Sequence, residues 1–87
     1  MYKIVYSKKA AKQIALLKAA KLDAKVQKLL QLMQENPFAC PPSYESLKGD
    51  LQGLFSRRIN VQHRLVYQVD EENKLVRVLS MWTHYES

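Results

Sequence analysis

Apolar residues along the chain follow two rhythms, one helical and one extended. Met1-Tyr2-Lys3-Ile4-Val5-Tyr6 alternates and is rich in β-branched and aromatic residues, which predicts a short strand over Tyr2–Tyr6 with Ser7 placed to cap a following helix. Ala10, Ala11, Ile14 and Leu17, then Leu22, Val26, Leu29, Leu30 and Met33, recur at the three-and-four spacing of an amphipathic helix. That pattern ends at Asn36-Pro37, because the residue before a proline is pushed out of the helical region. Two helices are expected, broken between Lys18 and Asp23, although neither Gly nor Pro marks the break. Phe38–Ser43 contains adjacent prolines and is a loop. Beyond Gly49-Asp50 and Gly53 the rhythm shortens, and Leu54–Asn60, Arg64–Val69 and Leu75–Trp82 predict three strands joined by tight turns, the second of them the polar Asp70–Asn73. The order predicts one α+β domain over residues 1–87, with two N-terminal helices on one face of a small, mainly antiparallel twisted sheet. A chain of 87 residues has no room for a deep cavity, so function belongs on the open sheet face.

Charge divides the chain in the same place. Residues 1–40 carry eight lysines against Asp23 and Glu35, which is the whole net charge of +6, while residues 41–87 are neutral and hold every arginine. Lysine is a flexible point charge suited to diffuse attraction to a phosphate backbone, and the planar arginine fork suits a directional grip on one phosphate. The division points to a helical half that docks and a sheet half that does chemistry. Lys18, Lys21, Lys25 and Lys28 are expected on one stripe of the second helix, opposite its apolar face, although an ordinary solvated helix shows such a stripe too. Cys40 is the lone cysteine and His63 and His84 are the only histidines, so neither a disulfide framework nor a structural metal site is expected, and no cofactor. No stretch approaches the roughly 20 apolar residues that span a bilayer, which leads to the expectation of a cytoplasmic protein with no membrane partner.

RNA can be cut through its own 2′-hydroxyl if a base takes the hydroxyl proton, an acid protonates the leaving oxygen and a cation stabilises the phosphorane. The second half of the chain offers one set for this work: Glu45, Arg58 and Arg64, and His84 with Tyr85. Each alone is unremarkable, a surface acid, two strand arginines and a near-terminal histidine, and their company in so short a chain is what gives them weight. Arg58 and Arg64 flank a turn, so sharing a sheet face requires an odd-numbered loop such as Val61-Gln62-His63, pairing Asn60 with Arg64. Trp82, Tyr44 and Tyr85 are candidate surfaces for stacking bases, and Lys48 and Arg57 further cations for RNA. His63, beside Asn60 and Gln62, reads as a structural or solvated turn residue, and Cys40 as a loop or core filler.

Asn36-Pro37-Phe38, the unbroken run from Tyr44 through Glu45, Leu47-Lys48-Gly49-Asp50-Leu51 and Phe55-Ser56-Arg57-Arg58 to Ile59, then His63-Arg64-Leu65-Val66-Tyr67 and His84-Tyr85, resemble the Txe/YoeB branch of the RelE-type bacterial toxins. The resemblance implies a microbial-ribonuclease-like fold and cleavage of messenger RNA on the 70S ribosome, without a metal. It also implies restraint by a cognate acidic antitoxin of the YefM/Phd kind, and leaves open whether two copies pair. It assigns Glu45 as general base, His84 as general acid, Arg64 to the scissile phosphate, Arg58 as a supporting cation and Tyr85 to holding substrate. Two features depart from the pattern: Glu86 and Ser87 follow the His-Tyr pair, and Met81-Trp82-Thr83 replaces a more basic or aromatic approach to it. Two other functions compete, a toxin of the same general fold that binds a protein such as DNA gyrase, and a basic module that occupies the ribosome without cutting. The first needs no acid and base; the second would keep its translation block when Glu45 and His84 become Ala.

Overall fold

The computed structural model describes residues 1–41 and 43–82. Lys3–Tyr6 forms β1, Lys8–Ala19 α1, Asp23–Glu35 α2, Tyr44–Ser46 β2, Leu54–Arg58 β3, Arg64–Asp70 β4 and Leu75–Ser80 β5, with one turn of 3-10 helix at Gly49–Leu51. The strands form one sheet in the order β1-β5-β4-β3-β2, antiparallel except that β1 runs parallel to β5. Beside the expected elements stands β2, a three-residue edge strand just after the Phe38–Ser43 loop, where the sequence predicts no element. The strands beginning at Leu54 and Leu75 end earlier than expected, at Arg58 and Ser80.

Ser7 caps α1 as expected, its Oγ accepting from the Ala10 N–H at 3.0 Å. The same hydroxyl donates to the Leu79 carbonyl at 2.8 Å, so the cap also ties the start of α1 to β5. The helices part at Lys21, whose φ of 60° is left-handed. Around it the Leu22 N–H reaches back to the Leu17 carbonyl and the Lys21 N–H to the Lys18 carbonyl, the paired bonds that close a helix before a left-handed residue. Glycine ordinarily fills that position, and its absence kept the break unmarked in the sequence. Lys18 therefore closes α1, Lys21 lies between the helices, and only Lys25 and Lys28 belong to α2, so the single four-lysine stripe expected on the second helix does not form. A side chain held in the left-handed region is strained by about 1 kcal/mol. Lys21→Gly is expected to raise stability by roughly 0.5–1 kcal/mol in urea unfolding, and a loss of stability would contradict this account.

Ala10, Leu17, Val26, Leu29, Leu30 and Met33 of the helices meet Leu65, Tyr67, Val76, Val78 and Met81 in one buried cluster. Burial of such a side chain contributes about 1.5–3 kcal/mol, so this layer fixes which face of the sheet the helices cover. Strand alternation then sends the intervening residues of β3 and β4 to the opposite face. Among the described residues, no helix is long and apolar enough to cross a membrane.

Candidate active site

On β2, β3 and β4 the register brings the chemistry-bearing residues together. Glu45 pairs with Ser56 across β2 and β3, and Arg58 pairs with Arg64 across β3 and β4. Directly opposed residues of antiparallel strands share a face, so the two arginines face the same way, as a joint grip on one phosphate requires. The connection that achieves this runs over residues 59–63, and the pairing is Arg58 with Arg64 instead of Asn60 with Arg64. Asn60 belongs to the turn itself: its Oδ1 accepts the Gln62 and His63 N–H groups at 2.8 and 2.7 Å, and the His63 carbonyl accepts the Ile59 N–H at 2.9 Å.

Glu45, Arg58 and Arg64, with Ser43 and Ser56, line an open cleft of about 450 Å³. Arg64 Nη1 donates to Glu45 Oε1 at 3.2 Å and to Ser56 Oγ at 3.4 Å. The Arg64 side chain is 25% exposed against 66% for Glu45, so the guanidinium is held against the sheet while the carboxylate stands in solvent. Arg58 is exposed and, among the described residues, has no acidic partner. Like charges directly opposite on a sheet are unfavourable, so the fold tolerates here an arrangement that an anion would relieve. Ser56, 1% exposed, was missed as a site residue. The signal for it was alternation, which places it on the same face as Arg58, one strand away from Glu45.

Arg58 also lines a shallow trough with Lys25, Lys28, Leu29, Leu32 and Ile59, so the lysines of α2 and the cleft share one cation. Lys18 instead lines a small groove between the helices with Ile14, Leu17 and Val26, away from that track. Lys48 is exposed at the start of the 3-10 turn.

Arg57 corrects the sequence reading. It was expected among the RNA-contacting cations, but it is 1% exposed, on the sheet face it shares with Leu65, its partner on β4. Its Nη2 donates to the Pro37 and Ala39 carbonyls at 2.9 and 2.8 Å, and its guanidinium lies 5.2 Å from the Tyr44 ring centre and 6.0 Å from that of Tyr67. Tyr67 donates to the same Pro37 carbonyl at 2.9 Å, and burial raises its phenol above the ordinary value, with Arg57 pulling the other way. The pair thus pins the chain that runs from α2 into β2. Tyr44 packs in this layer against Phe38 and Phe55 at centroid distances of 5.5 and 5.8 Å, so its ring supports the site from behind and is not a free platform for a base. Cys40 is exposed in the loop and fills no core position.

His63 is buried, 7% exposed, and stacks on Trp82 with ring centres 4.1 Å apart and planes 20° from parallel. Trp82 therefore has one ring face occupied by protein. His84 and Tyr85 lie outside the described residues. Among the described residues no group of three His, Cys, Asp or Glu side chains is placed to hold a metal ion.

Known proteins share this arrangement of strands and helices. Residues 6–85 match the family model described as the YoeB-like toxin of bacterial type II toxin-antitoxin system, and the chain belongs to that family. Toxin YoeB of Synechocystis is 36% identical over 66 residues, covering 76% of this chain and 74% of its own. A YoeB/ParE toxin from Agrobacterium tumefaciens superposes with a TM-score of 0.87 at 30% identity, over 95% of this chain and 99% of that one. YoeB of Staphylococcus aureus, solved as a heterotetrameric complex with YefM, gives a TM-score of 0.81 at 32% identity over 98% of this chain and 99% of that one. The same organism's YoeB dimer gives 0.82 at 32% identity, over 97% and 98%.

Proposed function

We propose that the chain is a ribosome-dependent messenger RNA endoribonuclease that blocks translation, cutting by attack of the RNA 2′-hydroxyl on the adjacent phosphate. The observation that carries this reading is the convergence of Glu45, Arg58 and Arg64 on one open cleft. Glu45, whose Oε1 accepts from Arg64 and whose side chain is 66% exposed, removes the hydroxyl proton. The 2′-oxygen then bonds to phosphorus and the bond from phosphorus to the 5′-oxygen breaks, leaving a cyclic phosphate and a 5′-hydroxyl. Arg64 and Arg58 stabilise the charge that builds on the phosphoryl oxygens. His84 supplies the proton to the 5′-oxygen and Tyr85 holds the substrate beside it. None of these steps calls for a metal.

Lys25 and Lys28, continuous with the cleft through Arg58, guide ribosomal RNA toward it, with Lys18, Lys21 and Lys48 adding diffuse attraction and Trp82 a base contact on its remaining face. The S. aureus YoeB is solved in complex with YefM, and an acidic segment of a corresponding antitoxin would cover Arg58 and Arg64 here. A complex that leaves the cleft open and the His84 segment undisturbed would contradict this.

Toeprinting of a translated message with purified protein tests the reading. The native chain should truncate the message on the ribosome, whereas Glu45→Ala and His84→Ala should occupy the ribosome and cut slowly. Native-rate cutting by both variants would remove the assignment, and a translation block without any cutting by the native chain would make it a binding inhibitor. In the same assay Lys25→Glu with Lys28→Glu should weaken association and flatten its salt dependence, because fewer counterions are released, and an unchanged slope would count against the docking role.

A further inference from the structure

The turn that presents Arg64 meets the chain leaving β5 at the stack of His63 on Trp82, beyond the last β4–β5 pair, Val66 with Ser80. Both partners are fixed from their own sides. His63 sits in a turn closed by the Asn60 side chain and by its own carbonyl. Trp82 follows Met81, which is 1% exposed and whose N–H donates to Gln13 Oε1 of α1 at 2.7 Å. The His63 Nδ1 is buried with no hydrogen-bond partner among the described residues, so that nitrogen does not anchor the ring, whereas its face rests on Trp82. A buried polar atom without a partner is a cost that packing alone does not require. Arg64 is the next residue after His63, and His84 comes two residues after Trp82, within about 7 Å of chain.

We propose that His63 is a positioning residue: by stacking on Trp82 it locks the end of β5 to the turn carrying Arg64 and so sets where the chain toward His84 departs. The proposal rests on the reading of His84 as the acid and Arg64 as the phosphate cation, and adds to it a contact that fixes Trp82, the residue from which the chain toward His84 continues. A displacement of about 1 Å between reacting groups can cost up to a hundredfold in rate, so a single stack is sufficient leverage. The imidazole acts here as a flat ring, and another flat ring of similar size should serve.

His63→Ala, His63→Phe and Trp82→Ala separate this from plain packing. Trp82 is the only tryptophan, so its emission reports the stack directly. In folded protein, checked by far-ultraviolet circular dichroism, His63→Ala should shift that emission to the red, increase quenching by acrylamide and move the Thr83 and His84 amide resonances, while His63→Phe leaves all three near native. On ribosome-bound message His63→Ala should lower kcat by roughly ten- to a hundredfold with little change in KM, His63→Phe should restore it, and Trp82→Ala should lower kcat at least as far, with KM rising as its base contact is lost. Native kcat in folded His63→Ala, or His63→Phe as slow as His63→Ala, overturns the proposal, the second because it would give the imidazole nitrogens a role of their own. If His84→Ala itself cuts at the native rate, the acid assignment falls, and the His84 resonances in His63→Ala still decide the positioning claim: unmoved, they overturn it.

Discussion

Arg57→Ala is expected to destabilise the fold by about 3–5 kcal/mol, a large share of the roughly 5–13 kcal/mol available to a domain of this size. The side chain satisfies two carbonyls in one loop, Pro37 and Ala39, from a position that water does not reach. Its removal leaves the Ala39 carbonyl short of a donor, halves the bonds to Pro37 and opens a void between Tyr44 and Tyr67. Arg57→Lys should recover little, because an ammonium does not present the flat fork that lies along two rings while donating to two carbonyls. The midpoint of urea unfolding measures the effect, and a change below about 1 kcal/mol would show that the loop is held by other means.

That residue also shows where sequence reading stops. Arg57 and Arg58 are chemically identical neighbours, and a basic dipeptide on a basic protein invites the reading that both meet RNA. Alternation forbids it: Arg57 shares a face with Phe55, which packs on Tyr67 of the core, while Ser56 and Arg58 share the cleft face. The information was in the pattern, yet a buried arginine is so unfavourable without partners that burial becomes credible only once the Pro37 and Ala39 carbonyls are seen around it. The helices and the three long strands were legible because their apolar spacing is set by the core they share. β2 was not, since three residues of edge strand carry no period and exist by pairing with β3. Nor was the parallel pairing of β1 with β5, which joins Lys3 to Leu75 across nearly the whole chain. The Lys21 bend lacked the glycine that would have announced it. For the cleft, residue types and order picked out Glu45, Arg58 and Arg64 as one set, and the pairing that turns both arginines to one face came only with the register.

Arg64→Ala is expected to show the opposite balance from Arg57→Ala, with a large loss of rate and almost none of stability. Its guanidinium reaches Glu45 and Ser56 from a position 25% exposed, where an ion pair contributes little to folding. Its removal also relieves the opposition with Arg58, so stability should stay within about 0.5 kcal/mol of native or rise. In the proposed reaction the same guanidinium faces negative charge that grows toward the transition state, which is where a fixed cation has its effect. Single-turnover cleavage of ribosome-bound message should therefore fall by roughly a hundred- to a thousandfold, with ribosome association nearly unchanged. Arg64→Lys should recover part of that loss, since the charge returns without the fork that bridges Glu45 and a phosphate together. Arg58→Ala should cost less, because it stands further into solvent and lacks the Glu45 contact that fixes Arg64. A native single-turnover rate in Arg64→Ala would remove this residue from the chemistry, and a rate loss matched by an equal loss of ribosome association would make it a docking cation instead.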